Sequence, residues 1–138
     1  FDAAMESLRH ALQHRPVFPE AHYNLGLCYQ RIERLTEAEA SFKQALQAKP
    51  DYADAWFALA NVQYKAGRLE EAVTASRRGL ALKPRDAKAQ LNTGNLLSTL
   101  GRHAEAVTHL RSALEIDPAL FDAYNNLGNA LLDCDDAP

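Results

Sequence analysis

The chain has 138 residues, of which 47% are hydrophobic and 24% charged, and its fifteen basic and eighteen acidic residues leave a net charge of −3. This is the balance of one ordinary folded domain, and it excludes a disordered polymer or a collagen-like fibre. It also argues against nucleic acid as the main partner, which needs clustered Lys and Arg, and no apolar run approaches the ~18 residues of a membrane span.

Four of the six prolines, Pro16, Pro50, Pro84 and Pro118, stand 34 residues apart. Other columns keep the same step: Ala4, Ala38, Ala72 and Ala106; Leu12, Leu46, Leu80 and Leu114; Gly26, Ala60, Gly94 and Gly128. A fixed period of this length marks a stacked-repeat architecture. In chain order, the opening Phe1-Asp2-Ala3-Ala4 shows no targeting pattern, and a first helix starting at Phe1 is stopped by Pro16. Residues 20–32 then carry Ala21, Leu25, Cys28, Tyr29 and Ile32 at helical spacing. Residues 37–48 carry a second stripe of Ala38, Phe42, Ala45 and Leu46, with Thr36 and Glu39 forming a candidate capping box. Asp51 is placed to cap the next helix. Gly67 and Gly101 fall in the inter-helix turns, where a left-handed residue ends a helix at low cost. Helices are expected over 70–82, 88–100 and about 122–134. The glycine column is expected to mark close helix crossings opposite Ala38, Ala72 and Ala106 or their neighbours.

Two departures from the columns stand out. Ser76 and Gly79 replace a bulky residue and Ala, and Gln90 and Thr93 replace an aromatic and Leu. The lost apolar area predicts a softer joint between 53–86 and 87–120.

The combined pattern resembles a tetratricopeptide repeat (TPR) array. Residues 19–52 match it through Asn24-Leu25-Gly26, Tyr29, Ala38, Phe42, Ala45-Leu46 and Pro50. Residues 53–86 match through Trp56, Leu59-Ala60, Ala72, Leu80 and Pro84, and 87–120 through Gly94, Ala106, Ala113-Leu114 and Pro118. Residues 1–18 match only a second helix and 121–138 only a first. The resemblance implies an all-α, right-handed superhelical solenoid of about eight helices. It divides 1–138 into a single array with half repeats at both ends. A fragment of a longer protein is expected, the alternative being a short array whose last helix caps itself.

The resemblance also implies that the first helix of each repeat lines a concave groove. By register the groove then receives Tyr23, Asn24, Leu27 and Arg31; Phe57, Asn61, Tyr64 and Lys65; Lys88, Asn92 and Asn95; and Asn125, Asn126 and Asn129. All seven asparagines of the sequence are in this set, although Asn is a mediocre helix former. Two readings stand. The amides are solvated or bonded between neighbouring helices, or they bridge the backbone of an extended peptide, since one amide both donates and accepts. Tyr23, Phe57 and Tyr64 offer apolar anchors, or, for Tyr23, packing between first helices. The segment Tyr124-Asn125-Asn126-Leu127-Gly128-Asn129 resembles the TPR superhelix of O-linked N-acetylglucosamine transferases.

Other chemistry is thin. In TPR domains that hold chaperone tails, a carboxylate meets Lys, Asn and Arg; here only Lys88 or an Asn pair fits, and Asp122 would repel the tail. The groove is not basic enough for RNA-reading repeats. His10 and His14 share a helical face but lack the intervening zinc-protease Glu, His103 and His109 do not, and Asp133-Cys134-Asp135-Asp136 reads as an acidic end. Cys28 and Cys134 read as free thiols, favouring a reducing, cytoplasmic setting. No phosphate loop, nucleophile elbow or dinucleotide fingerprint occurs, so no catalytic, metal or cofactor residue is nominated and the chain is not read as an enzyme. The expected function is a protein-interaction scaffold taking a peptide or protein segment in its groove, without nucleic acid or membrane insertion. The alternatives are a non-catalytic recognition segment of a larger enzyme such as a glycosyltransferase, and a module that self-assembles through its open end helices.

Overall fold

The computed structural model describes residues 2–136, so the expected helix start at Phe1 lies outside the described residues. Among these residues there are eight helices and no strand: α1 (Asp2–His14), α2 (Pro19–Arg31), α3 (Leu35–Ala48), α4 (Ala53–Lys65), α5 (Leu69–Leu82), α6 (Ala87–Thr99), α7 (His103–Ile116) and α8 (Phe121–Asp136). Each helix packs on its chain neighbours, and α2 also touches α4, as α6 does α8. The result is the expected all-α solenoid. Four helices end two residues before a proline of the 34-residue column: α1 before Pro16, α3 before Pro50, α5 before Pro84 and α7 before Pro118.

The left-handed turns form as expected at Gly67 (φ 82°) and Gly101 (φ 79°). The Arg68 N–H reaches the Gln63 carbonyl at 2.9 Å and the Arg102 N–H the Leu97 carbonyl at 2.8 Å, closing each helix end. At the equivalent place after α2, the non-glycine Glu33 takes φ 60°. A side chain there is strained. Glu33→Gly is therefore expected to stabilise the fold by about 0.5–1 kcal/mol, the strain relieved exceeding the added chain entropy; a lower urea midpoint would refute this.

Two capping expectations are corrected. α3 begins at Leu35 after Arg34, with no side-chain cap, so Thr36 and Glu39 form no capping box. α4 begins at Ala53 after Tyr52, also uncapped, so Asp51 does not serve it. Glu39 is instead committed over long range to Arg68 and, one turn along its own helix, to Lys43 at 2.7 Å. The side chain that does cap is Asp86, which accepts from the Ala89 N–H at 3.0 Å at the start of α6.

Two of the small positions work as the expected close crossings, Gly94 against Ala106 and Leu110, and Gly26 against Phe42, one turn on from Ala38. A Cβ on Gly26 would lie 2.5 Å from the Phe42 ring, and one on Gly94 would lie 2.8 Å from Leu110. A Cβ on Gly128 would meet nothing within 4 Å outside its own stretch of helix, so that position marks no close crossing. The Phe57 ring lies against Gly79. Phe42 and Leu110 are fully buried and hold two apolar clusters, one centred on α3 and α4 and one on α6 and α7.

The four column departures are all partnered. The Thr93 hydroxyl donates to the Ala89 carbonyl at 2.8 Å, so the buried Ser76 hydroxyl, 2.5 Å away, donates to it in turn. Gln90 donates from Nε2 to the Pro84 carbonyl at 3.1 Å. Its column mates do the same: His22 meets the Pro16 carbonyl at 2.9 Å and Trp56 Nε1 donates to the Pro50 carbonyl at 2.9 Å. In these three repeats the column holds a side chain with an N–H donor, which explains why His and Gln can stand where Trp does; its fourth member, Tyr124, carries none. The interfaces are also tied by ion pairs. Arg68 bridges Glu39 and Glu71, and Arg102 bridges Glu70 at 3.3 Å and Glu105 at 2.8 Å, with Arg77 joining Glu105.

His109 extends the Gln90 link. Its Nδ1 lies 2.8 Å from Gln90 Oε1, which accepts because the amide nitrogen is already donating to Pro84. Burial lowers its pKa below the ordinary 6.5, Arg77 lowers it further, and Glu105 opposes both. The unfolded chain therefore binds the His109 proton first as pH falls. Stability contributed by this site is complete above pH 6.5 and declines below it, down to the folded pKa. Comparing pH–stability curves of the parent and His109→Gln should show the parent losing more below pH 6.5; parallel curves would refute this.

Candidate functional site

A cavity of about 610 Å³ runs along one face of α2, α4 and α6. Of the residues expected in the groove, α2 places Tyr23 and Leu27 on its wall, α4 places Phe57, Asn61 and Tyr64, and α6 places Lys88, Asn92 and Asn95. The others lie outside it. Asn24, Arg31 and Lys65 are exposed elsewhere on α2 and α4, and Asn125 and Asn129 are exposed on α8. Asn126 donates from Nδ2 to Asn95 Oδ1 at 2.8 Å, a bond between α8 and α6. That pair is therefore bonded between neighbouring helices.

The equivalent pair, 34 residues earlier, is Asn92 and Asn61. Both are exposed on the cavity wall, and they are not bonded to one another. Tyr23 has a packing role: its ring centroid lies 5.8 Å from that of Phe42 and 5.1 Å from that of Tyr52. Burial raises the pKa of its hydroxyl, and the Asp54 charge adds to the effect. Tyr64 is half exposed.

Charges on the wall are mostly committed. Asp54 pairs with Lys83 at 3.3 Å, and Asp86 caps α6. No described residue pairs with Lys88. Register reasoning missed Ala60, Ser76, Asp86, Ala89 and Leu96, which also line the cavity. Ser76 belongs to α5, a second-type helix, and the signal for it was its small size in a column otherwise holding Phe42 and Leu110.

Elsewhere the chemistry is spare. His10 and His14 pack edge to face with centroids 4.7 Å apart. His103 Nδ1 lies 3.7 Å from Asp133 Oδ2. Cys28 and Cys134 are free and half-buried. Among the described residues, no group of three or more His, Cys, Asp or Glu is arranged to hold a metal, and no helix is long and apolar enough to cross a membrane.

Stacked helix pairs on a 34-residue period, with a groove on the first helices, define a tetratricopeptide-repeat array, the architecture of protein-interaction scaffolds. The profile of the family described as cilia and flagella-associated protein 70 C-terminal domain matches residues 1–138, and the chain belongs to that family. No curated protein matches the chain. Among solved structures, one of MamA is 25% identical with a TM-score of 0.89, covering 94% of this chain and 75% of its own. Another MamA structure, 24% identical, shares the fold at a TM-score of 0.90, covering 96% of this chain and 72% of its own. A structure described as "YrrB: a TPR protein with an unusual peptide-binding site" is 27% identical with a TM-score of 0.86, covering 94% of this chain and 66% of its own.

Proposed function

We propose that the chain is a non-catalytic scaffold that holds an extended segment of a partner protein along the face formed by α2, α4 and α6. The observation that carries this reading is the cavity of about 610 Å³, walled by aromatic rings and by the unjoined amides of Asn61 and Asn92. Such amides can donate to and accept from the main chain of a bound strand, and Phe57 and Tyr64 offer ring surface for its side chains. YrrB, similar in fold and sequence, is described as having a peptide-binding site. On this reading Asn24, Arg31, Lys65, Asn125 and Asn129 contact only a segment that extends past the cavity.

The test is selection of a displayed random dodecapeptide library on the chain, followed by titration of the enriched peptides. Asn61→Ala/Asn92→Ala should weaken binding at least ten-fold. Lys43→Ala on the opposite face should leave it unchanged. Equal affinity for both variants would overturn the groove reading.

A further inference from the structure

The 34-residue columns show which faces the interior helices cover and which the two end helices leave open. The second helices α3, α5 and α7 bury their column alanines, Ala38, Ala72 and Ala106, completely. By register α1 is also a second helix, with no described first helix before it. Its column alanine, Ala4, is exposed, and Leu8, in the column of the fully buried Phe42 and Leu110, is only half-buried. The reverse holds for α8, a first helix with no described second helix after it. Gly128 stands in the column of Gly26 and Gly94, yet a Cβ there would meet nothing beyond its own helix. Leu131 is 37% exposed where its column mate Leu97 is fully buried, and Phe121 and Tyr124 on the same stripe are exposed too.

The two open faces are complementary halves of one repeat. Leu8 and Gly128 occupy the places that meet inside the array as Phe42 and Gly26, and as Leu110 and Gly94. Charge follows the same register. Asp122 stands in the column of Asp54 and Arg15 in that of Lys83, and Asp54 and Lys83 pair at 3.3 Å within an interior repeat. The Arg15 guanidinium lies over the Phe18 ring, 4.8 Å from its centroid, and no described carboxylate pairs with it. Two α8 faces do not suit each other, because α8 carries Asp122, Asp133, Asp135 and Asp136 and no Lys or Arg.

We infer that a second copy of this chain covers the open face of α8. Its α1 seats there with Ala4 and Leu8 over Gly128 and Arg15 beside Asp122, completing the repeat that each helix lacks alone. Burial of Leu8, Tyr124 and Leu131 drives the contact. It joins two different faces and does not close on itself, so further copies extend the solenoid head to tail. The contact leaves Asn61 and Asn92 free, so it stands or falls separately from the groove reading.

The test is sedimentation velocity on the chain from about 10 µM to about 1 mM, the range of weak association. Species should grow past the dimer as concentration rises. Gly128→Lys and Ala4→Lys change exposed positions, so each should keep its helical circular dichroism and weaken association at least ten-fold. Asp122→Arg should weaken it about three-fold, and adding Arg15→Asp in the same chain should restore it. The decisive sample is an equimolar mixture of Gly128→Lys and Ala4→Lys, which retains one intact α1 face and one intact α8 face. It should form a one-to-one dimer and nothing larger. A parent that stays monomeric throughout would overturn the inference and leave the α8 face to some other helix. Ala4→Lys associating as tightly as the parent would overturn it in favour of an α8–α8 contact. A mixture no more associated than its separate components would overturn it as well.

Discussion

Gly26→Ala is expected to destabilise the array by about 1–3 kcal/mol, although alanine is the better helix former by roughly 0.5–1 kcal/mol. The cause is steric. The new Cβ would stand 2.5 Å from a Phe42 ring atom, and Phe42 is fully buried with no room to retreat. Phe42→Ala alone should cost about 3–5 kcal/mol through lost burial and the cavity left behind. The decisive measurement is the double variant. Once the ring is gone, Gly26→Ala should become neutral or stabilising, a coupling of about 2 kcal/mol or more. Strict additivity in chemical denaturation would show that the two positions do not meet.

The second large effect is expected at Arg68. Its guanidinium serves Glu39, whose side chain is only 10% exposed although it lies on a different helix. Arg68→Ala should cost about 1.5–3 kcal/mol, because a mostly buried carboxylate loses charge-assisted hydrogen bonds. Lys43, 2.7 Å from Glu39, limits the damage. Arg34→Ala is the control: its partner Glu37 is a neighbour on the same helix edge, and both are well exposed. That change should leave the urea midpoint where it was. If the two arginine variants behave alike, the inter-helix pair carries no special weight.

The fold was legible because it is periodic. Pro16, Pro50, Pro84 and Pro118 report a local event, the end of a helix, and local events repeated on one step define an architecture. The left-handed turns at Gly67 and Gly101 were legible for the same reason. The caps were misread because Thr36, Glu39 and Asp51 were weighed only against nearby backbone, whereas Glu39 is engaged by Arg68 from the next helix pair. Aromaticity misled in the column of His22, Trp56 and Gln90, whose shared property is an N–H aimed at a proline carbonyl.

The candidate groove was half legible. Register on the first helices finds Tyr23, Phe57, Asn61 and Asn92, since a helix displays its faces at a fixed interval. It cannot find Ser76, which reaches the cavity from a helix behind the wall only because a larger side chain is missing. Nor can register tell Asn95, bonded to Asn126, from Asn61, which is not. That difference depends on distances between helices rather than on position along one.

The proline-carbonyl tie has an evolutionary consequence. Its donor lies six residues after its acceptor, so the joint that sets α2, α4 and α6 on the turn before each is encoded within one short stretch of chain. A gene segment duplicated or shuffled on the 34-residue step carries its own hinge angle with it. Lineages could thus lengthen or recombine such arrays without re-evolving the geometry between modules, leaving mutation free to work on what the modules display.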